Sequence, residues 1–408
     1  MTTSWLSTPA NAVWESSLPD ELNPFVRFRR LLWSWHRWIE TGCSDEDFVA
    51  LVRSLDESVA AVTGTGFVIT PASWVKSLAG GSAGAGGATG ADTSAGAAGA
   101  VFAKDETSNV GGSHKARHLM GLLLHLAVDA VAQDVRLAIA SCGNAALGAA
   151  TVARAAHRPI DVFIPTWADP KVVAELKRLD ATIHVCERRS GESGDPTMLR
   201  FQEAVADGAL PFGVQATENP WTLDGGRTIG WELADQLGSN EVDDVFIQVG
   251  GGALLTSCAI GLLESAALGP LNRVPRVWAV QSENCAPFHR AWTHLPSAPS
   301  LDERLVFAEQ RHTQLMYPWL NPRSAATGIL DDVTYDWLGV ARALLLTGGS
   351  SVLASETEIE YANQRASAAG YNADHTGTAG YAGLLAAQRQ HRISPTAKAA
   401  VLITGTRR

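Results

Sequence analysis

The chain has 408 residues, 46% of them hydrophobic and 18% charged, with 32 basic against 42 acidic side chains and a net charge of −10. This is enough apolar material for one large or two medium globular units. The acidic balance excludes a general affinity for nucleic acid or for an anionic membrane, while leaving room for a local anion site. The cysteines, at 43, 142, 186, 258 and 285, form no CxxC pair, and the histidines show no HxH or HExxH spacing. Neither a disulfide frame nor a metal site is expected, and a reducing, cytoplasmic setting is. The start, MTTSWLSTPANAVWESS, has no basic residues leading into an apolar run, so no secretion signal is expected.

Taken in chain order, residues 1–76 read as a helical lead-in rich in tryptophan. FVRFRRLLWSWHRWIE sets Trp33, Trp35 and Trp38 among arginines, a composition suited to core or subunit-interface packing. Residues 77–100 hold no large side chain after Leu78 and are expected to be a mobile, Gly/Ala-rich surface loop. A regular alternation follows. AVFAKDE reads as a strand, and a helix N-capped by Ser113 carries an apolar stripe at Leu119, Leu122, Leu123, Leu126 and Ala130. That helix is too short to span a bilayer. VRLAIAS is a strand, then a CGN turn, then the small-residue helix AALGAATVARAAH. IDVFI is a strand, Pro170 opens the helix PKVVAELKRL, and TIHVC is the next strand. DDVFIQV runs through three glycines into ALLTSCAIGLLESAA; RVWAV, the helix GTAGYAGLLAAQRQH and the strand AAVLIT complete the series. Short apolar strands alternating with helices predict an α/β chain with a mostly parallel sheet covered on both faces. Ligands in such sheets sit at the carboxyl ends of strands, where the loops after residues 106, 141 and 249 fall.

Three of these loops carry chemistry. In QVGGGALL, Gly250, Gly251 and Gly252 end a strand and open a helix. Without Cβ atoms the backbone can turn its N–H groups toward one point, and the helix dipole adds partial positive charge, which suits a phosphate. Neither a P-loop Lys-Ser/Thr nor GxGxxG is present. In SCGNAALG, Ser141, Gly143 and Asn144 join a strand to a helix start whose N–H groups suit a carboxylate; an ordinary capping turn would look the same. Asn144 also offers an amide to a phenolate-like oxygen. Cys142 reads as a packing residue, with no basic neighbour to lower its pKa. In NVGGSHKARHLMG, Lys115 falls in the first turn of a helix. A cation there opposes the dipole, and the same field favours the neutral amine that attacks a carbonyl. A solvated lysine is the ordinary alternative.

In order, KDETSNVGGSHKARHL, SCGNAALGAA, QVGGGALL and the terminal LITGT resemble the fold-type II pyridoxal-phosphate enzymes. These comprise tryptophan synthase β subunits, threonine synthases, cysteine synthases and serine/threonine dehydratases. The resemblance covers residues 101–408, and TPASW and LNPFVRFRRLL are similar to the lead-in of some threonine synthase-like members. It implies two three-layer αβα domains with mostly parallel sheets and pyridoxal 5′-phosphate in the cleft between them. The larger, cofactor-binding domain would comprise 101–135 and 222–408, and the smaller, mobile domain 136–221 would carry the substrate-carboxylate loop. By resemblance Lys115 forms the internal aldimine and then serves as base or acid at the substrate α-carbon, with His114 beside the phosphate. Asn144 touches the ring hydroxyl oxygen. Ser141, Gly143, Asn144 and Ala145 surround the substrate carboxylate. Gly250, Gly251, Gly252, Ala253 and Leu254 cradle the phosphate, and Thr404 meets the pyridine nitrogen. A homodimer is implied.

Among members, the acidic loop of tryptophan synthase β subunits is replaced here by SCGNAA, and SAATGIL (324–330) resembles a dehydratase segment, whereas the ending TGT is closer to threonine synthases. The expected activity is an ammonia-lyase-like β-elimination on a small hydroxy- or otherwise β-substituted amino acid, through the Lys115 aldimine and an aminoacrylate. The alternatives are a β-replacement or threonine-synthase-like reaction, and a catalytically silent cofactor-binding protein. Little chain follows the last strand, so an appended regulatory domain is not expected. Arg117 and Lys104 are candidate cations for a phosphorylated substrate, but solvated surface roles are expected for both. Asp105 and Glu106 are expected at a solvated strand end, and His375 in a helix cap region.

Overall fold

The computed structural model describes residues 5–15, 20–79, 100–192, 194–297 and 300–408; most of the Gly/Ala-rich stretch expected to be mobile lies outside the described residues. The strands are β1 (Ala72–Val75), β2 (Val101–Asp105), β3 (Leu137–Ala140), β4 (Ile160–Pro165), β5 (Thr182–Cys186), β6 (Leu210–Pro211), β7 (Asp244–Gln248), β8 (Arg276–Ser282), β9 (Ser350–Ala354) and β10 (Ala399–Ile403). They form a six-stranded sheet of order β1-β2-β10-β7-β8-β9 and a four-stranded sheet of order β5-β4-β3-β6. Among the described strands β1 pairs with β2 antiparallel, and the other strand pairings are parallel. The expected α/β architecture with mostly parallel sheets is present. The chain divides into two compact units, each holding one sheet.

The first unit is formed chiefly by Thr70–Ser108 and Ile229–Arg408. Its central strands read as continuous apolar runs because helices cover both faces, so both side-chain rows are buried. In register, Val101 pairs with Ala399, Asp105 with Ile403, and Asp244 with both Ala399 and Arg276. The core joins Phe246, Trp278, Val280, Val352, Tyr381 and Leu384, with Phe246 and Trp278 stacked at 5.4 Å. Helix Ala379–Arg389 lies directly on these strands. A Cβ at Gly380 would stand 2.8 Å from the Phe246 carbonyl oxygen, and one at Gly383 would collide with Val280. Neither β1 nor β9 follows from the local pattern. The first falls in a stretch read as helical, and the second is a short run that becomes a strand by pairing with β8.

The second unit is formed by Leu6–Ile69 and Asn109–Thr228. Whereas the sequence groups residues 101–135 with the larger domain, helix Lys115–Val128 stands in this unit. It packs against helix Asn144–Ala155, where a Cβ at Gly148 would lie 3.1 Å from Leu119 Cδ1 and 3.5 Å from the Ala116 nitrogen. The helix ends at Val128, so Ala130 lies beyond it, in a left-handed turn at φ +48°. The tryptophan-rich front is anchored inside its own unit: Arg29 grips Asp45 through two bonds of 2.7 Å, and Trp35 Nε1 donates to the same carboxylate at 2.8 Å.

Candidate active site

The phosphate-type turn lies at the carboxyl end of β7. Gly252 adopts φ +107°, and a Cβ there would come within 2.8 Å of Val340 Cγ2. A Cβ at Gly250 would meet Asp331 Oδ2 at 2.5 Å and Ile329 Cα at 3.1 Å. The Asp336 N–H donates to the Gly251 carbonyl at 2.8 Å, pinning the turn from the same side. Thus 329–340 packs so closely behind the turn that only glycine fits at these two positions. Helix Ala253–Leu268 then begins with no side-chain cap and no acid in its first turn, and Ala253 and Leu254 are buried. By contrast, Ser44, Asp169, Asp195 and Ser355 each cap a helix elsewhere. First-turn N–H groups with no side-chain cap and a positive dipole end suit an anion.

Thr404 follows β10 in the same sheet and is buried. Its N–H donates to the Gly377 carbonyl at 3.1 Å, and its hydroxyl accepts from Gln248 Nε2. Gln248 ends β7, and its other amide atom, Oε1, has no hydrogen-bond partner. Sequence reading passed over Gln248. The available signal was a polar residue closing a fully buried strand whose middle, Val245 to Ile247, is apolar. His375 precedes helix Ala379–Arg389 and pairs with Glu360 at 2.8 Å.

Two expectations in this unit are overturned. Lys104 is fully buried, with Nζ 2.5 Å from Glu232 Oε2, 2.9 Å from Gln236 Oε1 and 2.7 Å from the Thr70 carbonyl. Glu106 is also fully buried and accepts from the Thr70 hydroxyl. Both are parts of a core ion network, not a surface cation and a solvated strand end. Desolvated charges of this kind need partners, and Thr70 and Glu232 come from distant parts of the chain. Asp105 accepts from Thr107 through both backbone and hydroxyl, a local turn.

In the second unit, Gly111 and Gly112 take φ +69° and +70°, two successive left-handed residues that carry the chain into helix Lys115–Val128. Asn109 Nδ2 donates to the Ser113 carbonyl at 3.0 Å and braces this turn. The helix N-cap is His114, not Ser113. The hydroxyl of Ser113 reaches only the Lys115 N–H, at 3.5 Å, because Ser113 is still extended. Lys115 is the first helical residue and is half-buried, and His114 is buried. Arg117, expected at the surface, is fully buried and donates to Thr228 Oγ1 at 3.2 Å. His118, one turn on, donates from Nδ1 to the Thr222 carbonyl at 2.9 Å; burial, with Lys115 and Arg117 near, pushes its pKa down to about 4, so it is neutral.

Helix Asn144–Ala155 starts from Gly143 without a side-chain cap, and Ser141 Oγ accepts from the Gly143 N–H at 3.5 Å. Ala145 is buried, whereas Ser141, Gly143 and Asn144 are partly accessible. The Gly148–Ala116 approach places the starts of the two helices side by side, about one turn apart. Burial raises the pKa of the Cys142 thiol, in keeping with a packing role.

These residues fit the cofactor implied by resemblance: an uncapped, glycine-lined helix start for a phosphate, a buried hydroxyl for a ring nitrogen, and an amine at the head of a helix. The fold is that of a parallel-sheet α/β protein with an anion-suited strand–helix turn. The family model described as pyridoxal-phosphate dependent enzyme matches residues 90–405, and the chain belongs to that family, whose cofactor is pyridoxal 5′-phosphate. The threonine synthase of Methanosarcina acetivorans is 25% identical over 262 residues, covering 64% of this chain and 58% of that protein. A mouse serine dehydratase-like protein is 30% identical over 166 residues, covering 40% and 47%. The chain thus spans about half the length of these curated relatives. The structure of maize serine racemase matches in fold with a TM-score of 0.60 at 17% identity, covering 87% of this chain and 93% of that one. Among the described residues no helix is long and apolar enough to cross a membrane.

Proposed function

We propose that this chain catalyses β-elimination from a small hydroxy- or otherwise β-substituted amino acid, giving a keto acid and ammonia. The observation that carries this reading is the buried Thr404 hydroxyl, which by resemblance meets the ring nitrogen, a position where a strong electron sink would need a carboxylate. Pyridoxal phosphate, when bound, supplies the sink that takes up the electron pair at the substrate α-carbon. A hydroxyl partner leaves the ring nitrogen without a counter-ion, so the sink is weak and the pair is better discharged by expelling a β-leaving group.

The protein's part is binding and proton transfer. The Gly250–Leu254 turn holds the phosphate through backbone N–H groups, with His114 beside it. Ser141, Gly143, Asn144 and Ala145 hold the substrate carboxylate at a helix start, which fixes the α-carbon, and the Asn144 amide also reaches the ring oxygen. Lys115 Nζ anchors the cofactor and moves the proton at the α-carbon. The dipole at the head of its helix favours the neutral amine that both tasks require. A reducing cytoplasm and a homodimer belong to the same reading. A light-scattering mass of one chain would reject the dimer.

The serine dehydratase-like relative supports elimination, and the threonine synthase relative keeps β-replacement in view. Purified protein mixed with L-serine and L-threonine separates the readings. Keto acid with ammonia is expected. A spectral change that yields product only with an added nucleophile indicates replacement, and no change with either amino acid indicates a silent binder. Borohydride reduction followed by peptide mapping should place the label on Lys115; a label elsewhere removes the site.

A further inference from the structure

Gln248 closes β7 and is 4% exposed. Its Nε2 lies against Thr404 Oγ1 and 3.4 Å from the Gly377 carbonyl oxygen. A carbonyl oxygen only accepts, so the atom facing this corner is the amide nitrogen, and Thr404 Oγ1 is the acceptor of their bond. The Thr404 N–H goes to the same Gly377 carbonyl, so side chain and backbone are tied to one point. Gly377 has no room to move away, since a Cβ there would stand 2.6 Å from the Gly405 carbonyl oxygen. The Gln248 Oε1 left over is buried without a partner, beside Gly380. Such a group is a cost that a structural role alone would not require.

A threonine hydroxyl that has accepted still has one proton to give. Among the described residues that proton has no acceptor. A neutral ring nitrogen would take it and complete the network. A protonated ring nitrogen would present a second donor to Oγ1 and strand the hydroxyl proton in a buried place.

We infer that Gln248 is a positioning residue that makes Thr404 a one-way hydrogen-bond donor and so holds the cofactor's ring nitrogen unprotonated. This rests on the proposed role of Thr404. It assigns the weakness of the electron sink to a carboxamide on a neighbouring strand as well as to the hydroxyl itself. Gln248→Glu reverses the device: the new carboxylate accepts from Thr404, whose lone pair then turns to the ring and welcomes a pyridinium.

The test is the ¹⁵N chemical shift of ring-labelled pyridoxal phosphate bound to the full-length protein. The wild type is expected to show an unprotonated nitrogen at neutral pH, and Gln248→Glu a shift to the protonated position. In Gln248→Glu the ratio of α-proton exchange to elimination should rise about tenfold, the size a single hydrogen bond carries. A protonated nitrogen in the wild type overturns the inference without any variant and leaves the cofactor site standing. An unprotonated nitrogen in a folded, cofactor-loaded Gln248→Glu protein also overturns it. If no bound-cofactor resonance is seen at all, the site reading itself fails, and this inference with it.

Discussion

Asp224 shows how much one residue can hold. In the second unit its buried carboxylate accepts from the Trp33 and Ser34 N–H groups at 3.0 Å each, from His125 Nε2 at 2.9 Å and from Arg227. It therefore caps helix Trp33–Glu40 from almost two hundred positions away in sequence. Burial alone would raise its pKa, but the Arg227 charge and the His125 bond outweigh that and leave it below the usual carboxylate range. With the folded pKa depressed, its contribution is fully present above the unfolded value near 4, and is lost as pH falls below it. Asp224→Asn should destabilise the protein by about 3–5 kcal/mol at pH 7, and its acid limb below about pH 4 should be shallower than that of the wild type. Urea titrations at a series of pH values read both effects, and parallel acid limbs would refute the assignment. Lys104 is a second such case. Lys104→Ala leaves Glu232 buried without its ammonium partner, and a loss of about 3–5 kcal/mol is expected in the same titration. A change under 1 kcal/mol would mean that the network is not charged as drawn.

At the scale of elements, glycine decides where helices rest. Gly148 lets helix Asn144–Ala155 approach Ala116 and so sets the head of the Lys115 helix beside the Ser141–Asn144 loop. Gly148→Val should push the helices apart and cost about 1–3 kcal/mol from overpacking. It should also weaken cofactor retention and raise the substrate KM, because Lys115 and Asn144 shift together; unchanged cofactor occupancy and KM would show that the approach does not set the site. Gly252→Ala combines a left-handed φ with a contact on Val340. The strain alone costs of order 1–3 kcal/mol, and equilibrium dialysis should find pyridoxal phosphate bound at least tenfold more weakly than by the wild type.

At the scale of the whole molecule, the residues proposed for the site are distributed over two compact units. The glycine turn, Gln248 and Thr404 belong to one, and Lys115, Asn144 and the carboxylate loop to the other. The pyridoxal-phosphate family model matches residues 90–405, the span in which all of these groups lie in order. That order was legible in the sequence because each motif is local. A strand running into glycines and an uncapped helix can be read from a dozen adjacent residues, as can a lysine at a helix head. The parallel class of the sheets was legible for the same reason, from apolar runs alternating with helical stripes.

Sequence by itself therefore determined the groups on offer, the amine at Lys115, the turn at Gly250–Gly252 and the hydroxyl at Thr404, and, through the family it resembles, the cofactor pyridoxal 5′-phosphate. Tertiary structure alone decided which polar residues are buried and with whom. Lys104, Glu106 and Arg117 look like surface residues until Glu232, Thr70 and Thr228 arrive from elsewhere in the chain. The orientation of the Thr404 hydroxyl likewise depends on Gln248, more than a hundred and fifty positions away. The physical reason is that strand and turn preferences are set by neighbours along the backbone, whereas desolvation and hydrogen-bond direction are set by whatever packs alongside, which only the folded chain supplies.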